Sequence, residues 1–246
     1  MMIRLSQRLK YIASFVDRGS VLADVGCDHG LLSLRLLKDG IIEHAFLMDI
    51  NPAPLAKAEE NAERYGLRDR VDIVLSDGLK ALPEYIRKNK TGLFPDTVLI
   101  SGVGGRLTSE IIAHTPGVVR EKIKSWILSP QSEVPECRRS LMVSGLGIKD
   151  DGIVEDQGKY YFVIKAGASA GEPDGGPENA CMNEAECRYG RYSLLRKDPC
   201  LKELLERDMT GIEALLDNRE LPDNRRGELL SELEDLKGAY SGFKMP

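Results

Sequence analysis

The segment ADVGCDHGLLSLRL, residues 23–36, carries Asp24, Gly26, Asp28, His29 and Gly30 between a short apolar run and a run of leucines. Its spacing is D-x-G-x-D-x-G. A loop that cradles a pyrophosphate needs glycines for close amide approach and opens a helix whose N-terminus attracts the anion. A carboxylate in that turn repels phosphate, so the ligand there is neutral or cationic. Three more apolar runs end the same way. AFLMD is followed by Ile50, so Asp49 closes it; VDIVLS leads to Asp77 and Gly78; DTVLI leads to Ser101, Gly102, Val103, Gly104 and Gly105.

An acid at the end of a second strand binds ribose hydroxyls in nucleotide folds. Asp77 can accept a hydrogen bond from the exocyclic amine of adenine. Acids near the first turn suit an ammonium and a sulfonium. A ligand with adenine, ribose, both cations and no phosphate is S-adenosylmethionine. The candidate cofactor-binding residues are Asp24, Gly26, Cys27, Asp28, Gly30, Asp49, Ile50, Asp77, Gly78, Ser101, Gly102 and Val103. Each alone is ordinary turn chemistry; the pattern at successive strand ends is what points to a ligand.

The elements that must position these residues follow from periodicity. Leu5, Leu9, Ile12 and Val16 recur at helical spacing ahead of the first strand. Strands are predicted over 21–25, 45–50, 71–78, 96–101 and 125–130, with helices over 31–37, 52–65, 107–114 and 135–144. Pro52 opens one of these helices and Gly66 follows its end. Residues 148–167 form two alternating runs around a polar turn, an antiparallel hairpin. Strands alternating with helices make a parallel sheet covered on both faces, which binds ligand at the carboxyl ends of its strands. The predicted fold is therefore α/β and Rossmann-like, with residues 1–167 as the cofactor-binding domain. A Gly/Pro-rich linker is expected over 168–182. Over 183–246, Leu201, Leu205, Met209, Ile212 and Leu216 form one stripe and Leu229, Leu233, Leu236 and Tyr240 another. These predict a helical hairpin too small to stand alone.

Composition narrows the classes. The chain has 246 residues, 42% of them hydrophobic, and a formal net charge of −5. No apolar run approaches the roughly 20 residues that span a bilayer, and the opening MMIRLSQRLKYIASFV interleaves its apolar residues with Arg4, Arg8 and Lys10. No membrane association and a cytoplasmic setting are the expectation. The 5 cysteines include no CxxC pair, so neither a disulfide framework nor a metal is expected. The acidic balance argues against a general nucleic-acid coat but allows a local basic face.

VLADVGCDHGLLSLRLL, SDGLKALP, DTVLISGVGGRLTSEII, WILSPQSEVPECRRSLMVSGLGI and KYYFVIKAG together resemble the bacterial tRNA (adenine-22-N1)-methyltransferase family. Asp24, Gly26, Asp28 and His29 match its first motif, with Cys27 at a hydroxyl position. Residues 101–105 resemble its Ala-Gly-Met-Gly-Gly, Ser129-Pro130-Gln131 stands where it has Gln-Pro-Asn, and Tyr189-Gly190-Arg191 where it often has Tyr-Gly-Pro. The resemblance implies a class I methyltransferase fold, a C-terminal helical part and methylation of N1 of an adenosine in the D-arm of tRNA.

On that basis the target adenine leaves its stack. Gly102, Gly104 and Gly105 would let backbone approach its edge. Asp28, then His29, are the candidate catalytic groups that steady the methylated base's charge. Arg4, Arg8, Lys10, Arg138 and Arg139 would contact tRNA phosphates. Competing readings are a methyltransferase for another RNA base or a small molecule, since a fold does not fix its substrate, and a non-catalytic RNA-binding protein. A nicotinamide oxidoreductase fails on the missing GxGxxG.

Overall fold

Short apolar runs without alternation must be covered on both faces, and the helices between them provide the cover. The computed structural model describes residues 2–89, 92–168, 182–218 and 221–243. The strands are β1 (Ser20–Val25), β2 (Ile42–Asp49), β3 (Val71–Leu75), β4 (Thr97–Ser101), β5 (Ser125–Ser129), β6 (Leu146–Asp156) and β7 (Lys159–Ala168). They form one 7-stranded sheet in the order β3-β2-β1-β4-β5-β7-β6. β1 to β5 pair in parallel, and β7 runs antiparallel to both β5 and β6. The order reverses between β1 and β4, so the crevice of a doubly wound sheet falls beside the Asp24–Gly30 turn.

The helices are α1 (Gln7–Ala13), α2 (Leu31–Lys38), α3 (Pro52–Arg64), α4 (Leu82–Asn89), α5 (Gly105–Ala113), α6 (Gly117–Arg120), α7 (Val134–Val143), α8 (Glu184–Tyr189), α9 (Arg191–Leu195), α10 (Pro199–Leu216) and α11 (Asp223–Ser241). On one face Ile12, Leu34, Leu47 and Ala58 join α1, α2 and α3 to the sheet. On the other Phe46, Leu82, Ile112, Trp126 and Leu141 join α4, α5 and α7 to it.

Most predicted strands and helices lie where expected, with ends shifted by a few residues. Strand three stops at Leu75 rather than Gly78, leaving Asp77 and Gly78 in the loop. Four short helices were not anticipated. α4 buries only Leu82 and Ile86, too few apolar positions for a visible stripe. α6, α8 and α9 are 4, 6 and 5 residues long, below the length at which periodicity shows. The linker expected over 168–182 lies outside the described residues apart from Ala168, which ends β7, and Met182.

The C-terminal helices close their own cluster. Leu201, Leu205 and Ile212 of α10 meet Leu229, Leu233 and Leu236 of α11, and the cluster reaches the sheet through Ile153. A polar anchor fixes it in place. Asp151 on β6 is fully buried. Its carboxylate accepts from Ser193 Oγ at 2.6 Å, Ser193 N at 2.9 Å and Tyr192 N at 3.1 Å. Gly190, at φ 92°, lies against this carboxylate so closely that a Cβ would collide with it. The Tyr-Gly pair therefore marks the docking point. Gly190→Ala is expected to lower stability by about 2 kcal/mol or more, through lost anchoring and a left-handed backbone. Thermal unfolding measures it, and an unchanged midpoint would remove Asp151 from the docking argument.

Candidate active site

The turn after β1 is built on the left-handed side of backbone space. Gly26, Asp28 and Gly30 have φ of 72°, 51° and 69°. Asp tolerates this conformation better than most residues. Gly26 N and Cys27 N both donate to Met48 O, at 2.9 and 3.1 Å, so the turn is hooked to β2. Gly30 is a packing residue. A Cβ there would stand 3.0 Å from Leu47 Cδ1 and 3.3 Å from Ala58 Cβ, and α3 could not approach. Gly30 does not line the cleft, which corrects its expected place among the cofactor contacts.

The remaining first-turn residues open onto a cleft of about 500 Å³ lined by Asp24, Gly26, Cys27, Asp28, His29, Asp49, Ser101, Gly102 and Val103, with Arg8, Leu31 and Gln131 closing it. A slot of about 240 Å³ continues from it past Gly26, Asp49 and Val103 to Ile50, Asp77, Gly78, Leu107 and Ile111. The slot is apolar enough for an adenine ring. Asp49 stands where the two meet; its Oδ1 accepts from Asn51 N at 2.8 Å. Asp77 Oδ2 is held by Lys80 at 2.5 Å.

The cleft is acidic. Asp24 is buried and donated to by Ser33 Oγ at 2.5 Å. Burial, outweighing that hydrogen bond and aided by Asp28, pushes its carboxyl up to about 6. The Cys27 thiol is pushed up far further, first by burial and then by Asp24, Asp49 and Asp28, so it stays neutral and acts as a small packed residue. Asp28 and His29 stand at the mouth, with side chains 81% and 52% exposed and Oδ1 to Nε2 at 3.4 Å. Three carboxylates around one cleft favour a cation and oppose a phosphate.

The same cleft is lined by one guanidinium. Arg8 on α1 was expected on an outer basic face. Its side chain instead turns into the cleft and lies 4.6 Å from the centroid of the Tyr161 ring. Its Nε and Nη2 are buried with no hydrogen-bond partner. A buried donor set without an acceptor is costly, and a ligand carboxylate at this end of the cleft would relieve it. The donor set thus fits an amino-acid ligand end, with acids for its ammonium and Arg8 for its carboxylate.

The glycine turn after β4 packs against the loop after β5. Gly105 N donates to Ser132 O at 2.8 Å and Gln131 N to Val103 O at 2.9 Å. A Cβ on Gly104 would stand 2.9 Å from Ser132 Oγ, and one on Gly105 would strike the backbone of Glu133. The close approach that Gly104 and Gly105 permit here is to the loop after β5. That contact sets Gln131 over the turn; a Cβ on Gly102 would come 4.0 Å from Gln131 Nε2. The sequence alone assigns Gln131 no role, and in the structure it lines the cleft.

The other expected phosphate contacts divide. Arg4 and Lys10 are exposed. Arg139 is half-buried and held by Glu184 at 2.5 Å and Glu136 at 3.7 Å. Arg138 must be corrected: it is 0% exposed. It lies over the Phe162 ring at 5.0 Å and Nη1 donates to Cys187 O and Arg188 O at 2.8 and 3.0 Å. It ties α8 to the sheet and reaches no phosphate. Among the described residues no 3 His, Cys, Asp or Glu side chains gather to hold a metal ion.

An acidic crevice at the switch point of a Rossmann-like sheet, closed by an antiparallel β6–β7 pair, defines a class I methyltransferase. Residues 5–164 match the methyltransferase-domain family. The tRNA (adenine(22)-N(1))-methyltransferase of Bacillus subtilis (strain 168) is 30% identical over 175 residues, 70% of this chain and 68% of that protein. The chain belongs to the tRNA (adenine(22)-N(1))-methyltransferase family. Streptococcus pneumoniae Sp1610, described as a candidate tRNA (m1A22) methyltransferase and solved with S-adenosyl-L-methionine, superposes with a TM-score of 0.79 at 25% identity, covering 96% of this chain and 100% of that one. TrmK of M. capricolum, solved with S-adenosyl-homocysteine, shares the fold at a TM-score of 0.77 and 23% identity, over 98% of this chain and 99% of its own. Both likenesses run through the C-terminal helices.

Proposed function

We infer that this chain transfers a methyl group from S-adenosylmethionine to N1 of adenosine 22 in the D-arm of tRNA. The observation that carries the cofactor is the pairing of an acidic cleft with the Arg8 guanidinium, whose buried Nε and Nη2 have no hydrogen-bond acceptor. The acceptor base follows from the family. In this reading residues 1–167 do the chemistry and residues 183–246 are the added tRNA-facing part.

Bound S-adenosylmethionine supplies an electrophilic methyl on a sulfonium. The adenine N1 lone pair is free at neutral pH, so the chain needs no strong base; it supplies proximity and a fitting field. Arg8 holds the ligand carboxylate and Asp24 faces its ammonium. Asp49 takes the ribose hydroxyls. Asp77 keeps the oxygen not bonded to Lys80 for the adenine amine, and Ile50, Val103 and Ile111 cover the ring. Gln131 offers both an amide N–H and a carbonyl at the mouth, which suits the edge of the incoming base. Asp28 also lines the mouth and is exposed until RNA covers it. Its charge then counts for far more, and it steadies the methylated base until that base loses a proton.

Asp28→Asn is expected to lower kcat about tenfold with little change in cofactor affinity. Full turnover with weakened cofactor binding would make Asp28 a cofactor contact only. The reaction itself is tested with labelled S-adenosylmethionine and unmodified tRNA transcripts bearing adenosine or guanosine at position 22. Label is expected on the adenosine transcript alone. Label on both would move the target base, and label on neither, with cofactor bound, would overturn the reading.

A further inference from the structure

A second groove of about 520 Å³ opens where the β6–β7 turn faces α10, and it meets the cofactor cleft at Gln131, which lines both. Gln131 and Tyr161 aside, its lining takes no part in the methyl-transfer chemistry described above. Tyr160 and Tyr161 present aromatic surface in it, and Lys159, Arg188 and Arg207 supply cations. The Arg207 guanidinium lies 4.7 Å from the Tyr160 ring centroid. Its Nε and Nη2 donate to Asp208 Oδ1 at 3.1 and 2.9 Å, so the plane of the guanidinium is fixed. Arg188 is held by Glu184 at 3.2 Å and lies 3.8 Å from Asp235. Within the groove three cations face one carboxylate, Asp208.

Aromatic faces beside an excess of cations match a base and its phosphate together. An acidic peptide would satisfy the cations and leave the rings uncovered. A base lifted into the cleft stays tied to its neighbours, and the groove adjoins the cleft at Gln131. We propose that this groove seats a nucleotide adjoining the methylated adenosine: its base extends the Arg207–Tyr160 stack and its phosphate meets Lys159 and Arg188. The proposal rests on the tRNA reading above and adds a subsite to it.

The test uses the full chain, unmodified tRNA and the variants Arg207→Ala, Arg207→Lys and Tyr160→Leu. tRNA affinity is read by filter binding, cofactor affinity by calorimetry, and folding by thermal midpoint. Arg207→Ala and Tyr160→Leu are expected to weaken tRNA binding about tenfold at unchanged cofactor affinity. Arg207→Lys keeps the charge but loses the plane and is expected to fall most of the way. If lysine restores full affinity, the groove acts by charge alone and the stacking subsite is wrong. Unchanged tRNA affinity in all three would overturn it outright and leave the groove to a protein partner. Should Tyr160→Leu unfold, the Arg207 pair decides, since that side chain is more than half exposed. Wild-type transfer to the adenosine-22 transcript is measured alongside. Its absence would sink the tRNA methylation reading, whereas normal transfer with normally binding variants would sink the subsite alone.

Discussion

Arg8→Met is expected to raise the dissociation constant for S-adenosylmethionine by about thirtyfold or more, with the thermal midpoint of the ligand-free protein unchanged or raised. The reason is the position of the guanidinium. It is partly buried against Tyr161, its Nε and Nη2 lack acceptors, and its own proton affinity is lowered chiefly by burial. A desolvated cation of this kind gains strongly from a carboxylate, and truncating one partner of such a pair costs about 2 kcal/mol or more. Methionine keeps the apolar stem that packs beneath the charge. The decisive control is a decarboxylated analogue that retains adenosine, sulfonium and ammonium. Wild type should bind it more weakly than the complete cofactor, and Arg8→Met should bind the two alike. If Arg8 instead contacted tRNA phosphate, cofactor affinity would not move and the salt dependence of tRNA binding would fall.

Arg8 also marks what a sequence can and cannot say. The sheet was legible because strands buried on both faces carry unbroken apolar runs, and because glycines and acids punctuate their ends. The cofactor cleft was legible for the same reason: topology brings strand ends together, so Asp24, Asp49 and Asp77 could be collected without knowing any distance. Direction was not legible. Arg8 and Arg138 are cations on short helices, and a charge alone suggests solvent. Whether the side chain points outward depends on the neighbour. Tyr161 of β7 draws Arg8 into the cleft, and the carbonyl ends of α8 draw Arg138 into the core. Both partners lie more than 45 residues away in the chain. Gly104 and Gly105 repeat the lesson, since a glycine announces that something comes close but not what. Here it is the Ser132–Glu133 backbone, and through it Gln131.

Asp24→Asn is expected to stabilise the ligand-free protein and to weaken cofactor binding, with a pH dependence that identifies the group. The Asp24 carboxyl is raised from 3.8 to about 6, mainly by burial. A carboxyl raised in the folded state binds its proton more tightly there than in the unfolded chain. Its contribution therefore favours folding below about pH 4 and is lost as pH rises through 6, leaving a penalty of roughly 3 kcal/mol above that. Asparagine keeps a partner for Ser33 and has no such penalty. The variant's advantage should be near zero at pH 4, grow between 4 and 6 and level off above, as read by chemical denaturation at a series of pH values. Cofactor binding should run the other way. An ammonium near Asp24 favours the ionised carboxyl, so wild-type affinity should rise with pH to about 6 and then plateau, while the variant should show a flatter and weaker profile. The carboxylates that share the cleft, Asp28 and Asp49, are less buried than Asp24. A parallel pH profile in wild type and variant would assign the titration elsewhere. The raised carboxyl is therefore a stability cost maintained at the site where the ligand's positive charge is received.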